Sequence, residues 1–267
     1  MKRFLTLAAF FALFCATSAS AQQDYIETAA GLDIKMIYVD GGTFKMGSTD
    51  QDPDAGVPEK PQHDVTVDSF YIAEFVVTQA QWKKLMGTTI TEQRDKYNSA
   101  ARINGEGDNT PIYYVSWEEA VAFCEKLSEI SGKKYVLPTE AQWEFAARGG
   151  NKSRGTQFSG SNTVTDVAWI AGYSNNINQP VGQLQPNELG IYDMSGNVME
   201  WCSDWFDRAY YSVSPSNNPV GPDSGTNKVA RGGSRNYYAR HCRVAARISR
   251  NPADRFPDIG FRIVSLP

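Results

Sequence analysis

Among the side chains of this protein that could take part in a reaction or bind a metal, the cysteine thiols come first. The sequence contains four cysteines among 267 residues, at positions 15, 124, 202 and 242. Thiolates attack electrophiles and bind soft metal ions, and in an oxidising compartment they also form disulfides. Cys15 lies in an apolar N-terminal segment, so three cysteines remain for the rest of the chain. Three thiols allow at most one disulfide plus one free cysteine.

Histidine chemistry is limited, because His63 and His241 are the only histidines. His241 directly precedes Cys242 in a segment, 242–248, that is predicted to be a strand. Neighbouring residues of a strand point to opposite faces, so a Cys–His catalytic pair from these two residues is disfavoured.

The N-terminus predicts export. Lys2 and Arg3 precede an apolar run over 4–14, and Ala19-Ser20-Ala21 is typical of a signal cleavage site. The run is too short to span a bilayer. We therefore expect residues 1–21 to be a cleaved signal peptide and the mature protein to be secreted or periplasmic. An uncleaved anchor is the alternative.

Composition restricts the function classes. The net charge is −4, so no overall positive field favours nucleic acid or an anionic membrane surface. Charged residues make up 21% and aromatic residues 12% of the chain, which is typical of aromatic side chains packed over many turns. No repeat or composition break divides the chain. We expect a flexible lead-in over 22–33 and one domain over 34–267.

Three helices are predicted from capping boxes that begin at Thr78, Ser116 and Thr139, each followed three residues later by Gln or Glu. Cys124 lies on the apolar face of the middle helix, which is typical of a buried, inert thiol. From residue 151 onward Gly, Asn and Ser predict long irregular segments. Strands are predicted over 34–39, up to Met46, and over 64–73, 228–234, 242–248 and 260–264.

Five short segments have an order and spacing that resemble one known family. They are GGTFKMGS (41–48), LPTEAQWE with RGG (137–144 and 148–150), GIYDMSGNVMEW (190–201), RGGS (231–234) and GFR (260–262). They are similar to segments of the formylglycine-generating enzyme family, also called the sulfatase-modifying factor family, over about Ile34 to Val264. The resemblance implies an α+β fold of the C-type-lectin-like type, rich in loops. It does not by itself settle the activity.

The founding activity of that family oxidises a cysteine of a client sulfatase, with Cu(I) held by two thiolates. The resemblance places the second of these at Cys242 and the first at Tyr237, whose phenol cannot replace a thiolate. Ser234 of the oxidase pocket is retained. The sequence thus disfavours copper, and Cys242 with Ser234 would be catalytic only if an oxidase function is kept. A Cys202–Cys242 disulfide is the favoured role of Cys242, and a reactive thiol is the alternative.

The resemblance also implies a structural calcium site at Asp193, Gly196, Val198 and Glu200. Carboxylate and carbonyl oxygens on irregular backbone suit Ca²⁺. The alternative is that Asp193 caps a turn and Glu200 pairs with an arginine such as Arg231.

The C-terminal segment predicts a binding function. Residues 231–264 resemble the variable cassette of ligand-binding proteins that are diversified by reverse-transcriptase mutagenesis, although an ordinary family tail would share the same pattern. Tyrosine and phenylalanine provide large, rigid contact areas. We expect a protein, peptide or glycan ligand, and no nucleic acid. An oxidase acting on an exported sulfatase-like client is the alternative, and a structural subunit of an envelope assembly is a third. The predicted ligand-binding residues are Arg235, Tyr237, Tyr238, His241, Arg250 and Phe256.

Overall fold

The structure is a computed structural model that describes residues 22–266, so the predicted signal peptide lies outside the described residues. No helix within 22–266 combines the length and the apolar character needed to cross a bilayer. The helices are α1 (Gln79–Met86), α2 (Ile90–Asn98), α3 (Trp117–Ser131), α4 (Glu140–Ala147) and α5 (Val164–Val167). The strands are β1 (Tyr25–Glu27), β2 (Ile34–Val39), β3 (Gly42–Met46), β4 (His63–Val67), β5 (Phe70–Ala73), β6 (Tyr135–Val136), β7 (Ala168–Trp169), β8 (Ser195–Gly196), β9 (Met199–Trp205), β10 (Lys228–Arg231), β11 (Arg247–Arg250), β12 (Ile259–Gly260) and β13 (Val264–Ser265).

The helix starts follow from local capping, as the sequence predicts. The hydroxyls of Thr78, Ser116 and Thr139 each accept a hydrogen bond from the backbone N–H three residues later, and a Gln or Glu side chain accepts from the cap in return. Helix α2 has the same arrangement at Thr89 but was not predicted. Its sequence is mostly polar and buries little, so no apolar stripe marks it as a helix.

The larger sheet has five antiparallel strands in the order β1-β2-β5-β13-β6. It corrects one expectation, because β1 lies within the lead-in over 22–33 that was predicted to be flexible. The Tyr25 hydroxyl hydrogen-bonds to the Tyr135 hydroxyl at 2.8 Å and to the Ser265 hydroxyl at 2.9 Å. These contacts with residues more than one hundred positions away attach the segment to the sheet.

The second sheet has the order β11-β10-β9-β12, in which β12 runs parallel to β9. Two-stranded pairs β3–β4 and β7–β8 complete the architecture. The strand predicted over 64–73 is in fact two strands in different sheets, β4 and β5. The strand predicted over 242–248 is also wrong for most of its length, because backbone carbonyls of 244–246 accept hydrogen bonds from the buried Arg231 side chain instead of a neighbouring strand.

The core contains large aromatic side chains together with paired charges. Trp82, Trp143 and Trp201 are fully buried. Arg231 and Arg262 are also 0% exposed, and each is bound to an equally buried glutamate. An isolated buried charge is costly, so these guanidinium groups are tolerated only because carboxylates and backbone carbonyls satisfy them.

Candidate functional site

The turn after β10 brings the predicted site residues together. Gly232 and Gly233 have positive φ values of 85° and 66°, a conformation that glycine adopts without strain. A Cβ atom at Gly233 would lie 2.6 Å from the Sγ atom of Cys242. Glycine therefore lets the backbone pass directly over this thiol. A short 3₁₀ turn over Ala239–His241 then leads the chain back to Cys242.

The Cys242 thiol is buried in an apolar cluster. It is 0% exposed and packs with Phe158, Val167 and Ile170. Its Sγ atom has a weak contact of 3.9 Å with the backbone carbonyl of Ser234. Burial raises the pKa of the thiol to about 12. In the absence of a metal, this pKa favours the thiol over the thiolate that a nucleophile requires.

The structure does not form the favoured Cys202–Cys242 disulfide, which is a correction. Cys124, Cys202 and Cys242 are all free and buried. Cys202 packs in the apolar cluster of β9 and α4, whereas Cys242 packs in a separate cluster near β7. Burial also raises the pKa of the Cys124 and Cys202 thiols. Cys124 lies on the apolar face of α3, as the sequence predicts.

A copper pair does not fit the residues at this site. Tyr237 stands where the resemblance requires the first thiolate, and its ring packs against the cluster that contains Cys242. The phenol accepts a hydrogen bond from the Arg250 guanidinium. Ser234 is buried and donates to Oδ2 of Asp258 at 2.6 Å. The site thus offers one protonated thiol and a satisfied hydroxyl, with no second sulfur ligand.

Four of the six predicted ligand-binding residues come into contact with one another. The rings of Tyr237 and His241 lie 5.3 Å apart, and the Arg250 guanidinium lies 5.2 Å from the centre of the Phe256 ring. Tyr238, which precedes the 3₁₀ turn, is 71% exposed. We call Tyr237, Tyr238, His241, Arg250 and Phe256 the aromatic–arginine surface.

Arg235 does not belong to this surface, contrary to the prediction. Its side chain is 2% exposed, and its Nε donates to Oδ1 of Asn178 at 2.7 Å. Further N–H groups donate to the carbonyls of Asn176 and Pro257. Arg235 therefore fastens the loop around 176–178 to the C-terminal segment and has no role in ligand contact.

The predicted calcium residues are close in the chain but do not present two available carboxylates. Both oxygens of Glu200 accept from Arg262, at 2.6 and 2.8 Å, and Oε2 also accepts from the Trp143 indole at 2.7 Å. Within 22–266 no three Asp, Glu, His or Cys side chains are grouped so that they could hold a metal ion. The predicted calcium ligands, which include Gly196 and Val198, do not fit calcium in this arrangement. The positive charge that Glu200 needs is already supplied by Arg262. The predicted alternative partner, Arg231, binds Glu144 instead.

Asp193 remains the one carboxylate of that set without a cationic partner. It is buried, has a φ of 57°, and accepts from the backbone N–H of Gly182 at 2.8 Å. Burial raises its pKa to about 6, and the nearby Arg262 opposes this effect. Asp193 thus binds the backbone of a separate segment at Gly182.

Arg243 is a second buried arginine of the C-terminal segment, and only the fold shows which carboxylates it binds. Arg243 directly follows Cys242 and is 2% exposed. Its guanidinium contacts both carboxylate oxygens of Glu59 at 2.9 Å and Oδ2 of Asp52 at 3.0 Å. The loop over 50–61 is therefore fixed against the candidate site. Arginines at 240, 243, 247, 250, 255 and 262 make the C-terminal segment basic, but this composition does not indicate partners almost 200 positions away.

Asp204 predicts a pH effect on stability. It is buried beside the start of α4, where its Oδ2 accepts from the Glu140 N–H at 2.9 Å. Burial, and then repulsion by Glu140, raise its pKa from 3.8 to about 7. The folded state thus binds this proton more tightly, and the resulting stabilisation is present below about pH 4 and is lost as the pH rises through 7. We expect Asp204→Asn to stabilise the protein by about 1–3 kcal/mol at pH 8 and to have little effect at pH 4. Urea denaturation at both pH values measures this, and an equal shift at both would contradict it.

Comparisons with known proteins agree with this architecture. The profile of the sulfatase-modifying factor enzyme 1-like domain matches residues 22–266. A formylglycine-generating enzyme of Streptomyces coelicolor is 32% identical over 85% of this chain and 87% of its own length. The mouse formylglycine-generating enzyme is 30% identical over 85% of this chain and 74% of its own length.

Solved structures share the fold. Treponema denticola variable protein 1 has a TM-score of 0.79 and 27% identity, and the match covers 91% of this chain and 99% of that one. PvdO from Pseudomonas aeruginosa has a TM-score of 0.78 and 24% identity, with coverage of 93% and 100%. The fold is therefore the α+β, C-type-lectin-like fold that the resemblance implied, and the chain belongs to the sulfatase-modifying factor (formylglycine-generating enzyme) family.

Proposed function

We propose that this chain is an exported family member that binds a protein, peptide or glycan ligand through the aromatic–arginine surface. The observation that carries the proposal is the state of the cysteine site. Cys242 is fully buried with a raised pKa, and Tyr237 takes the place of its sulfur partner. Tyr238, four residues before Cys242 in the same turn, is 71% exposed.

The residue types of the aromatic–arginine surface are suited to ligand binding. A guanidinium over an aromatic ring and an exposed phenol combine apolar contact with hydrogen-bonding capacity at low conformational cost. The surface is carried by a turn that hydrogen bonds and buried ion pairs hold in place, so exposed side chains can change without loss of the fold. Treponema denticola variable protein 1 is named as a variable protein, and its similarity over nearly the whole chain is consistent with a variable binding surface here.

Replacement of Tyr238 tests the proposal. The full mature chain is screened against a random peptide library displayed on phage and against a glycan array. We expect Tyr238→Ala to weaken binding of a selected ligand about tenfold or more, because an exposed aromatic residue at the centre of a binding surface contributes at least about 1.4 kcal/mol. Ile130→Ala is the control, since Ile130 is 50% exposed and lies near the end of α3. Equal loss in both variants, or none in either, would contradict the proposal.

The oxidase alternative is decided on the same protein. Copper(I) titration and oxygen uptake with a cysteine-containing peptide are measured for the wild type and for Cys242→Ser. We expect no stoichiometric copper binding and no peptide-dependent oxygen uptake, because a single thiol without a second sulfur ligand is a poor Cu(I) site. Stoichiometric copper together with oxygen uptake that Cys242→Ser abolishes would establish the oxidase instead.

A further inference from the structure

A cleft of about 310 Å³ continues the aromatic–arginine surface on the side of His241. It lies between the loop over 53–59 and residues 240–247. The His241 ring contacts Tyr237 on one side, and on the other its Nε2 accepts from Nε of Arg240 at 3.0 Å. Burial and the neighbouring arginines lower the pKa of His241, which favours the neutral imidazole as the acceptor of this hydrogen bond.

The far wall of the cleft is held in place by an ion pair and a hydrogen bond to the backbone. Arg243 binds both oxygens of Glu59 and donates to the carbonyl of Asp54 at 2.7 Å. Its single positive charge is shared by two carboxylates, those of Glu59 and Asp52, so Arg243 holds the wall and is not available to a ligand. A ligand that enters a fixed cleft loses less free energy to ordering of the protein.

The charged side chains of the cleft and the surface that have no ion-pair partner within 22–266 carry opposite signs. Within 22–266, Arg240 and Arg250 form no salt bridge with any carboxylate, unlike Arg243, Arg247 and Arg255 of the same segment. The Nε atom of Arg250 is buried without a hydrogen-bond partner. On the opposite wall the Asp54 side chain is exposed and is not among the ion-paired carboxylates of the described residues.

We infer that the cleft and the aromatic–arginine surface together bind a peptide segment of mixed charge, which rests on the proposed binding function. Carboxylates of the peptide pair with Arg240 in the cleft and with Arg250 on the surface, and a basic side chain of the peptide pairs with Asp54. Guanidinium groups bind carboxylates through two parallel hydrogen bonds, which gives orientation as well as affinity. A polyanionic glycan would meet repulsion from Asp54, and a neutral ligand would leave all three charges unpaired.

Charge reversal in the cleft tests this inference. Phage-displayed random peptides are selected on the wild type and on Asp54→Lys. We expect wild-type selections to be enriched in peptides with both acidic and basic residues, and Asp54→Lys to lose the preference for the basic residue. For one selected synthetic peptide, we expect Arg240→Gln and Arg250→Gln each to weaken binding about tenfold. Lys126→Gln, an exposed substitution on α3, is the control and should leave binding unchanged.

Two results would overturn the inference and leave the proposed function intact, and a third would remove both. Peptides that need Tyr238 but tolerate Asp54→Lys and Arg240→Gln would remove the mixed-charge ligand and leave the binding function intact. Glycan binding that depends on Tyr238, with no peptide selected, would do the same. Loss of both peptide and glycan binding would remove both proposals. Asp54 and Arg240 are exposed, so melting temperatures of these variants should match the wild type and keep the comparison valid.

Discussion

Replacing Glu200 by glutamine should destabilise the protein by about 3–5 kcal/mol, because it leaves a buried arginine without its counter-charge. Glu200 and Arg262 are both 0% exposed and form two hydrogen bonds at 2.6 and 2.8 Å. Glutamine keeps a carbonyl oxygen for the Trp143 indole, so the loss reports the charge and not that bond. The backbone carbonyls of Ala73 and Tyr192 still accept from Arg262 but cannot neutralise it.

Chemical denaturation of the variant measures this loss. Asp64→Asn is the matched control, because it removes the carboxylate of an ion pair with Lys45 in which both side chains are at least 60% exposed. Surface pairs of this kind contribute at most about 1 kcal/mol. A double variant that combines Glu200→Gln with Arg262→Met should lose less stability than the sum of the losses in the two single variants. Similar losses for Glu200→Gln and Asp64→Asn would show that Arg262 does not depend on Glu200.

Gly196→Ala should cost more than about 3 kcal/mol or prevent folding, because the backbone at Gly196 leaves no room for a side chain. A Cβ atom there would lie 2.4 Å from the carbonyl oxygen of Trp169 and 2.9 Å from its nitrogen. These are backbone atoms of the β7–β8 pair and cannot move away without breaking it. The Gly196 N–H also donates to the Gly232 carbonyl at 2.8 Å, so the strain reaches the turn that carries the candidate site.

Gly87→Ala separates this steric effect from backbone strain. Gly87 ends α1 with a φ of 79°, almost the same as the 77° of Gly196, but a Cβ atom there meets nothing within 4 Å. Its substitution should cost only about 1–2 kcal/mol, the penalty of a left-handed conformation. Equal losses at the two positions in urea denaturation would mean that the close approach at Gly196 does not matter.

The geometry of the site gives a physical reason why a chain can belong to this family without carrying the family's oxidase activity. The turn at Gly232 and Gly233, the buried Ser234 and the position of Cys242 are all kept by hydrogen bonds and packing that serve the fold. Nothing in that scaffold requires a second sulfur, because Tyr237 packs against the same apolar cluster. Loss of a ligand pair is thus compatible with an unchanged turn, and the exposed residues beside it remain available for binding.

Local features of the sequence determined the starts of three helices. A capping box is complete within four residues, so Thr78, Ser116 and Thr139 could be identified without the rest of the chain. The family could be recognised for a similar reason, since its segments are short and contiguous. The apolar helix face that buries Cys124 likewise follows from spacing alone.

Tertiary structure decided the pairings. Glu200 binds Arg262 and not Arg231, Arg235 is buried by loop 176–178, and Cys202 and Cys242 lie in separate clusters. The same is true of the division of the segment 64–73 between two sheets. Each of these outcomes depends on which distant segments meet, and neither residue type nor local spacing contains that information. The sequence by itself determined the local turns and caps and the family, while long-range packing decided which charges are matched and which remain free to bind.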